Sequence, residues 1–133
     1  SEVPTLIVAG RPVDPIRARA YVEAGVRVLD VETDAAGMPE IGQALVALGR
    51  EGLTRLLVEG GSRVAAELVR AGAVDRLIWI RAGSVMGGDG LPAVAAYGID
   101  RLADLARFRR VEVRPLGADL AETYLPHAAG STG

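Results

Sequence analysis

Apolar residues fall into short blocks separated by Gly, Pro and charged residues. The block at 5–8, closed by Gly10 and Pro12, is short and rich in β-branched side chains, which predicts a buried strand. Pro15 suits the first turn of a helix reaching Glu23, with Asp14 near its cap and Gly25 beyond its end. Residues 26–31 return to strand, and 32–37 read as a turn. Pro39 then opens a helix with Ile41, Ala44, Leu45 and Leu48 on one face, ended by Gly52. Residues 53–58 predict a further strand. Glu59-Gly60-Gly61-Ser62 follows, with Ser62 placed to cap a helix that turns Val64, Ala65, Leu68 and Val69 toward a sheet.

The second half changes rhythm. Residues 74–80 form a strand whose run Leu77, Ile78, Trp79, Ile80 is apolar on both faces and predicts an interior position. Residues 82–98 hold five Gly and make the longest irregular connection. Residues 108–114 and 119–125 predict a hairpin across Pro115, Leu116 and Gly117; Val111 and Val113 alternate with Glu112 and Arg114, as in a strand covered on one face. The expected fold class is α/β: a mixed sheet, parallel first and antiparallel at the end, with helices on its faces. Residues 1–126 make one domain and 127–133 a flexible tail.

Composition narrows the function. With 133 residues there is room for one domain. Fifteen Arg and no Lys stand against 17 acidic residues, so a net charge of -2 gives no electrostatic case for nucleic acid or a membrane surface. Cys is absent and His occurs once, which excludes disulfides, thiolate nucleophiles and multi-histidine metal centres. Twenty-two Ala and five aromatic residues describe a core of small and branched aliphatic groups. There is neither an apolar stretch of membrane-spanning length nor an export signal at the start, which predicts a cytoplasmic protein. The start at Ser1 rather than Met points to processing or a boundary within a longer chain.

Candidate chemistry concentrates at Glu59-Gly60-Gly61-Ser62. Two glycines let backbone amides approach a ligand, and the free N–H groups of the next helical turn suit phosphate oxygens; the alternative is a plain strand-to-helix turn with a capping Ser. Glu59, at the carboxyl end of its strand, could accept hydrogen bonds from sugar hydroxyls or an amine, or pair with an Arg. Ser84 and the backbone near Gly87 and Gly88 could close around a small substrate, or be ordinary surface loop, with Met86 as packing. Arg11, following the first strand, could reach a phosphate or stay a solvated charge. Asp75 and Arg76 read as a pair at the start of a strand, and His127 as a surface residue of the tail.

Four segments taken in order carry a resemblance: Leu56-Leu57-Val58-Glu59-Gly60-Gly61-Ser62, Ala73-Val74-Asp75-Arg76-Leu77, Gly87-Gly88-Asp89-Gly90 and Leu116-Gly117-Ala118-Asp119-Leu120. Together they resemble the C-terminal reductase domain of the bacterial bifunctional riboflavin-biosynthesis deaminase/reductase, over nearly the whole of 4–126. The resemblance implies a dihydrofolate-reductase-like fold and NADPH-dependent reduction of the ribosylamino group of 5-amino-6-(5-phosphoribosylamino)uracil to ribitylamino. It places the cofactor pyrophosphate over Gly60, Gly61, Ser62 and Arg63, with Arg11 a candidate for the 2′-phosphate. Glu59 is the catalytic candidate on the substrate's ribose side, and Ser84, Gly87 and Gly88 bound the pocket; no residue stands out as proton donor. Family domains begin earlier, so the chain resembles their later part, and the uncovered sheet edge that this leaves favours a homodimer. The alternatives are a reductase of another heterocycle and a noncatalytic ligand-binding or interaction domain.

Overall fold

The computed structural model describes residues 4–127, so the expected tail at 127–133 lies outside the described residues except for His127, whose N–H donates to the Arg107 carbonyl at 3.2 Å. The chain divides into two compact units, the first ending at Leu57 and the second beginning at Val58.

In the first unit β1 (Leu6–Gly10) and β2 (Arg27–Val31) pair in parallel, Leu6 opposite Arg27 and Gly10 opposite Val31. Between them runs α1 (Pro15–Glu23), with Pro in its first turn as the sequence predicts. Its cap is Asp14, whose Oδ1 accepts from the N–H groups of Ile16 at 2.8 Å and Arg17 at 3.4 Å. The next helix, α2 (Ile41–Arg50), packs on β2. Glu40 caps it, accepting from Gly42 N–H at 3.0 Å and Gln43 N–H at 2.7 Å. Ala44 and Val31 are the buried apolar residues of this unit.

The expected strand at 53–58 does not form: among the described residues it has no sheet partner, and its one backbone hydrogen bond runs from Leu53 N–H to the Leu48 carbonyl. A strand exists only as half of a ladder, and Leu57 is left 79% exposed.

After Val58 the second unit continues through the Glu59–Ser62 turn into α3 (Ser62–Arg70), in which Ala66 and Leu68 are buried while Val64, expected to face a sheet, is exposed. A three-stranded antiparallel sheet follows, made of β3 (Leu77–Arg81), β4 (Phe108–Leu116) and β5 (Asp119–Pro126), in the order β3-β5-β4. The predicted hairpin is β4–β5. The predicted interior strand is instead an edge of its sheet: among the described residues β3 pairs only with β5, and Ile78 and Ile80 are exposed. The register of β4 shifts between Arg110 and Glu112, so Val111 is the extra residue of a bulge. The alternation expected from Val111 to Arg114 therefore breaks, with Phe108 and Arg110 on one face before the bulge and Val113 on that face after it.

The α/β class with parallel strands first and an antiparallel hairpin last is what the structure shows, as two hydrogen-bonded sheets among the described residues.

Candidate functional site

The Gly-rich turn before α3 is built from backbone. Gly60 and Gly61 both have positive φ, 89° and 84°, a region that L side chains rarely adopt. A Cβ on Gly60 would meet nothing within 4 Å, and one on Gly61 only Val64, at 3.8 Å, so the space beside the turn is open. The cap position falls on Gly61, not Ser62 as expected: Ser62 is the first helical residue, and no side chain caps the helix. Only from Ala65, which donates to the Gly61 carbonyl at 3.0 Å, does the helical ladder begin. The N–H groups of Ser62, Arg63 and Val64 are thus left for an outside acceptor. No acidic residue sits in the first turn, and Arg63 adds a positive side chain at the positive end of the helix. This end is set for an anion.

Glu59 is exposed at the entrance to the turn, with no recorded hydrogen bond or ion pair among the described residues. Ser84, Gly87 and Gly88 lie on the exposed stretch after β3, where Gly87–Asp89 form a single 3-10 turn. Ala95, farther along that stretch, donates its N–H to the Ser62 carbonyl at 3.0 Å, which ties the stretch to the first turn of α3. Met86 is exposed and folds back over Gly90 instead of packing into a core.

Arg11 belongs to the first unit and is already engaged. Its Nε donates to Asp30 Oδ2 at 2.5 Å and its Nη1 to Glu32 Oε1 at 3.0 Å. The hydrogen bond from Arg11, reinforced by its charge, lowers the Asp30 carboxyl below the usual carboxylate range and raises the guanidinium in return. These groups line a concavity of about 180 Å³ with Gln43, Val46 and Arg50.

Sequence reasoning missed one constellation. Glu122, in the central strand β5, is 2% exposed, and both of its oxygens are taken: Oε2 by Arg81 Nε at 2.7 Å and Oε1 by Arg110 Nη1 at 2.9 Å. The hydrogen bond from Arg110 holds its carboxyl below the usual range against the opposing effect of burial, and Arg81 adds to the lowering. The available signal was a charged residue inside the strand-like run Ala121-Glu122-Thr123-Tyr124; its direct cross-strand neighbours are Trp79 and Val113, and the two Arg reach it diagonally. Among the described residues no group of three or more His, Cys, Asp or Glu could hold a metal ion, and no helix is long and apolar enough to cross a membrane.

Residues 2–121 match the model of the RibD C-terminal domain family. The chain belongs to that family. This RibD-type chain is 27% identical over 124 residues to the riboflavin biosynthesis protein RibD of Bacillus amyloliquefaciens, covering 92% of itself and 33% of that protein. It is 32% identical over 130 residues to the 2,5-diamino-6-ribosylamino-4(3H)-pyrimidinone 5′-phosphate reductase of Methanothermobacter thermautotrophicus, covering 92% of itself and 56% of that protein. In fold it matches a pyrimidine reductase-like protein from Corynebacterium diphtheriae with a TM-score of 0.73 at 19% identity, covering 92% of itself and 50% of that chain. The RibD-type chain thus spans between about a third and just over a half of the length of these relatives.

Proposed function

We propose that this chain is the cofactor-holding part of an NADPH-dependent pyrimidine reductase of riboflavin biosynthesis, reducing 5-amino-6-(5-phosphoribosylamino)uracil to its ribitylamino product. The observation that carries this reading is the uncapped N-terminus of α3 behind two positive-φ glycines, a turn that leaves three N–H donors and open space for a phosphate. The names of the relatives, a riboflavin biosynthesis protein and a pyrimidinone phosphate reductase, supply the substrate class.

The residues fit the group. Ser62, Arg63 and Val64 would hold pyrophosphate oxygens through backbone N–H, Arg63 would add charge, and Gly60 would leave room for close approach. NADPH, when bound, supplies the hydride. The chain's own task is to fix position: Glu59 would accept hydrogen bonds from the substrate's ribose hydroxyls, and Ser84 with the backbone of Gly87 and Gly88 would close the pocket. The reading includes a homodimer, supported by exposed apolar side chains such as Leu57 and Ile80, and a cytoplasmic location.

The deciding experiment is calorimetric titration of the folded chain with NADPH and with NADH, repeated on Gly61→Val. Saturable NADPH binding that the variant loses supports the phosphate turn and justifies assaying the pyrimidine. A folded parent chain that binds neither nucleotide refutes the cofactor site and leaves a noncatalytic relative as the reading.

A further inference from the structure

One face of the β3-β5-β4 sheet forms a shallow cup of about 470 Å³ that shares no residue with the turn before α3. The register explains how it is built. Trp79 lies directly opposite Glu122, Leu77 opposite Tyr124 and Arg81 opposite Leu120, so alternate residues of β3 and β5 share the face. On the other side Arg110 lies opposite Tyr124, and Phe108 is two residues before it. The only Trp and the only Phe of the chain, with one of its three Tyr, therefore meet in one concavity.

The charges there leave hydrogen-bonding capacity unused. Glu122 is the one acid lining the cup, against Arg81 and Arg110, so the face carries a net positive charge. Each guanidinium spends one nitrogen on Glu122 and keeps about half of its side-chain surface exposed, which leaves further N–H donors over the aromatic floor. Both arginines are pinned by the same buried carboxylate, so little conformational freedom remains to be lost when an acceptor arrives. The volume lies within the range of small-molecule sites.

We infer that this cup binds a small planar aromatic anion, one ring or a fused pair bearing a phosphate or carboxylate, with the ring against Trp79, Phe108 and Tyr124 and the anion on the free N–H groups of Arg81 and Arg110. Glu122 is the positioning residue. It orients both guanidiniums and offsets part of their charge, so that an anion without a ring gains too little to bind well.

Trp79, the sole tryptophan, reports directly on the cup. Phenyl phosphate titrated into the folded chain should quench its fluorescence saturably, with inorganic phosphate and phenol each at least about tenfold weaker, because each makes only half of the contacts. Arg110→Gln should weaken phenyl phosphate about tenfold. Glu122→Gln removes the opposing charge and loosens both guanidiniums, so it should narrow the roughly tenfold preference for phenyl phosphate over inorganic phosphate to about threefold or less, a change of selectivity that loss of structure does not imitate, and this keeps the test decisive if Arg110→Gln proves poorly folded by circular dichroism. Gly61→Val should leave the quenching unchanged, which separates this site from the cofactor turn. The inference is overturned by quenching that does not saturate, by equal quenching with inorganic phosphate, or by quenching lost in a Gly61→Val chain whose circular dichroism matches that of the parent. It is equally overturned if Trp79 is shielded only as sedimentation shows the mass doubling, because a second copy then fills the cup.

Discussion

A pair of identical substitutions at two glycines tests the reading of the turn most sharply. Gly61 has φ 84° and ψ 90°, and the Cβ of an alanine there would meet only Val64 at an ordinary van der Waals distance. Sterics with neighbours are therefore removed from the comparison, and what remains is the backbone strain of holding an L-residue at positive φ, about 1–3 kcal/mol. Gly49 lies in the last turn of α2, where a Cβ again meets nothing within 4 Å and the backbone is helical. There the change to alanine removes chain entropy from the unfolded state and should stabilise by roughly 0.5–1 kcal/mol. Gly61→Ala and Gly49→Ala should thus shift stability in opposite directions and differ by about 1.5–4 kcal/mol. Urea unfolding followed by circular dichroism gives both values, and the midpoint shifts should come at nearly unchanged slope. Shifts of the same sign would refute the assignment of strain to the turn, because the one further contact, between the added methyl and Val64, is at ordinary van der Waals distance.

Other outcomes follow from particular contacts. A Cβ on Gly10 would overlap Thr33 Cγ2, the tip of a stiff β-branched side chain, so Gly10→Ala should cost about 1–3 kcal/mol and Thr33→Ser, which deletes that methyl, should restore most of it in thermal melts of the double variant. Glu122 has a folded pKa below its ordinary value of 4.5, so its contribution to stability is complete above that value and is lost as pH falls through the lowered one. Stability measured from pH 6 down to about pH 2 should therefore fall less steeply in Glu122→Gln than in the parent, and parallel curves would sink the coupling. Arg11 is already paired with Asp30 and Glu32, so Arg11→Gln should alter NADPH affinity by less than about threefold in calorimetry; a larger, NADPH-selective loss would show that it reads the 2′-phosphate after all.

What was legible in the sequence is what local rules govern. Pro15 with Asp14 placed α1, and the apolar spacing of Ile41, Ala44, Leu45 and Leu48 placed α2, because capping and periodicity are properties of a few neighbouring residues. The turn at Gly60 and Gly61 was legible for the same reason, although the capping role given to Ser62 was not realised: Gly61 itself occupies the cap position, and a positive φ there draws Ser62 into the helix. Failures came where a neighbour in space decides. Residues 53–58 have the composition of a buried strand but no ladder partner among the described residues, and the apolar β3 ends at an edge because it meets β5 alone. The bulge at Val111 reversed the faces of β4, which no alternation count can see. The pairing of Arg81 and Arg110 with Glu122 was hidden for that reason as well, since it depends on register between strands 41 and 12 residues apart in the chain.

The missing cap of α3 links stability to binding. The chain caps α1 through Asp14 and α2 through Glu40, and a side-chain cap is typically worth about 1 kcal/mol. At α3 that contribution is absent, and Arg63 in the first turn adds to the unfavourable charge there. A phosphate on the N–H groups of Ser62, Arg63 and Val64 would supply the missing acceptors, so binding should be felt first as a local gain in order at this helix end. Linkage sets the global size: ligand at 100 times its dissociation constant stabilises the folded state by about 2.7 kcal/mol. Hydrogen exchange separates the local effect from the global one. With NADPH at that excess, the amides of residues 62–64 should slow by more than those of α1, whose capped end gains no new acceptor. Uniform slowing across both helices would place the nucleotide elsewhere and remove the phosphate turn from the functional reading.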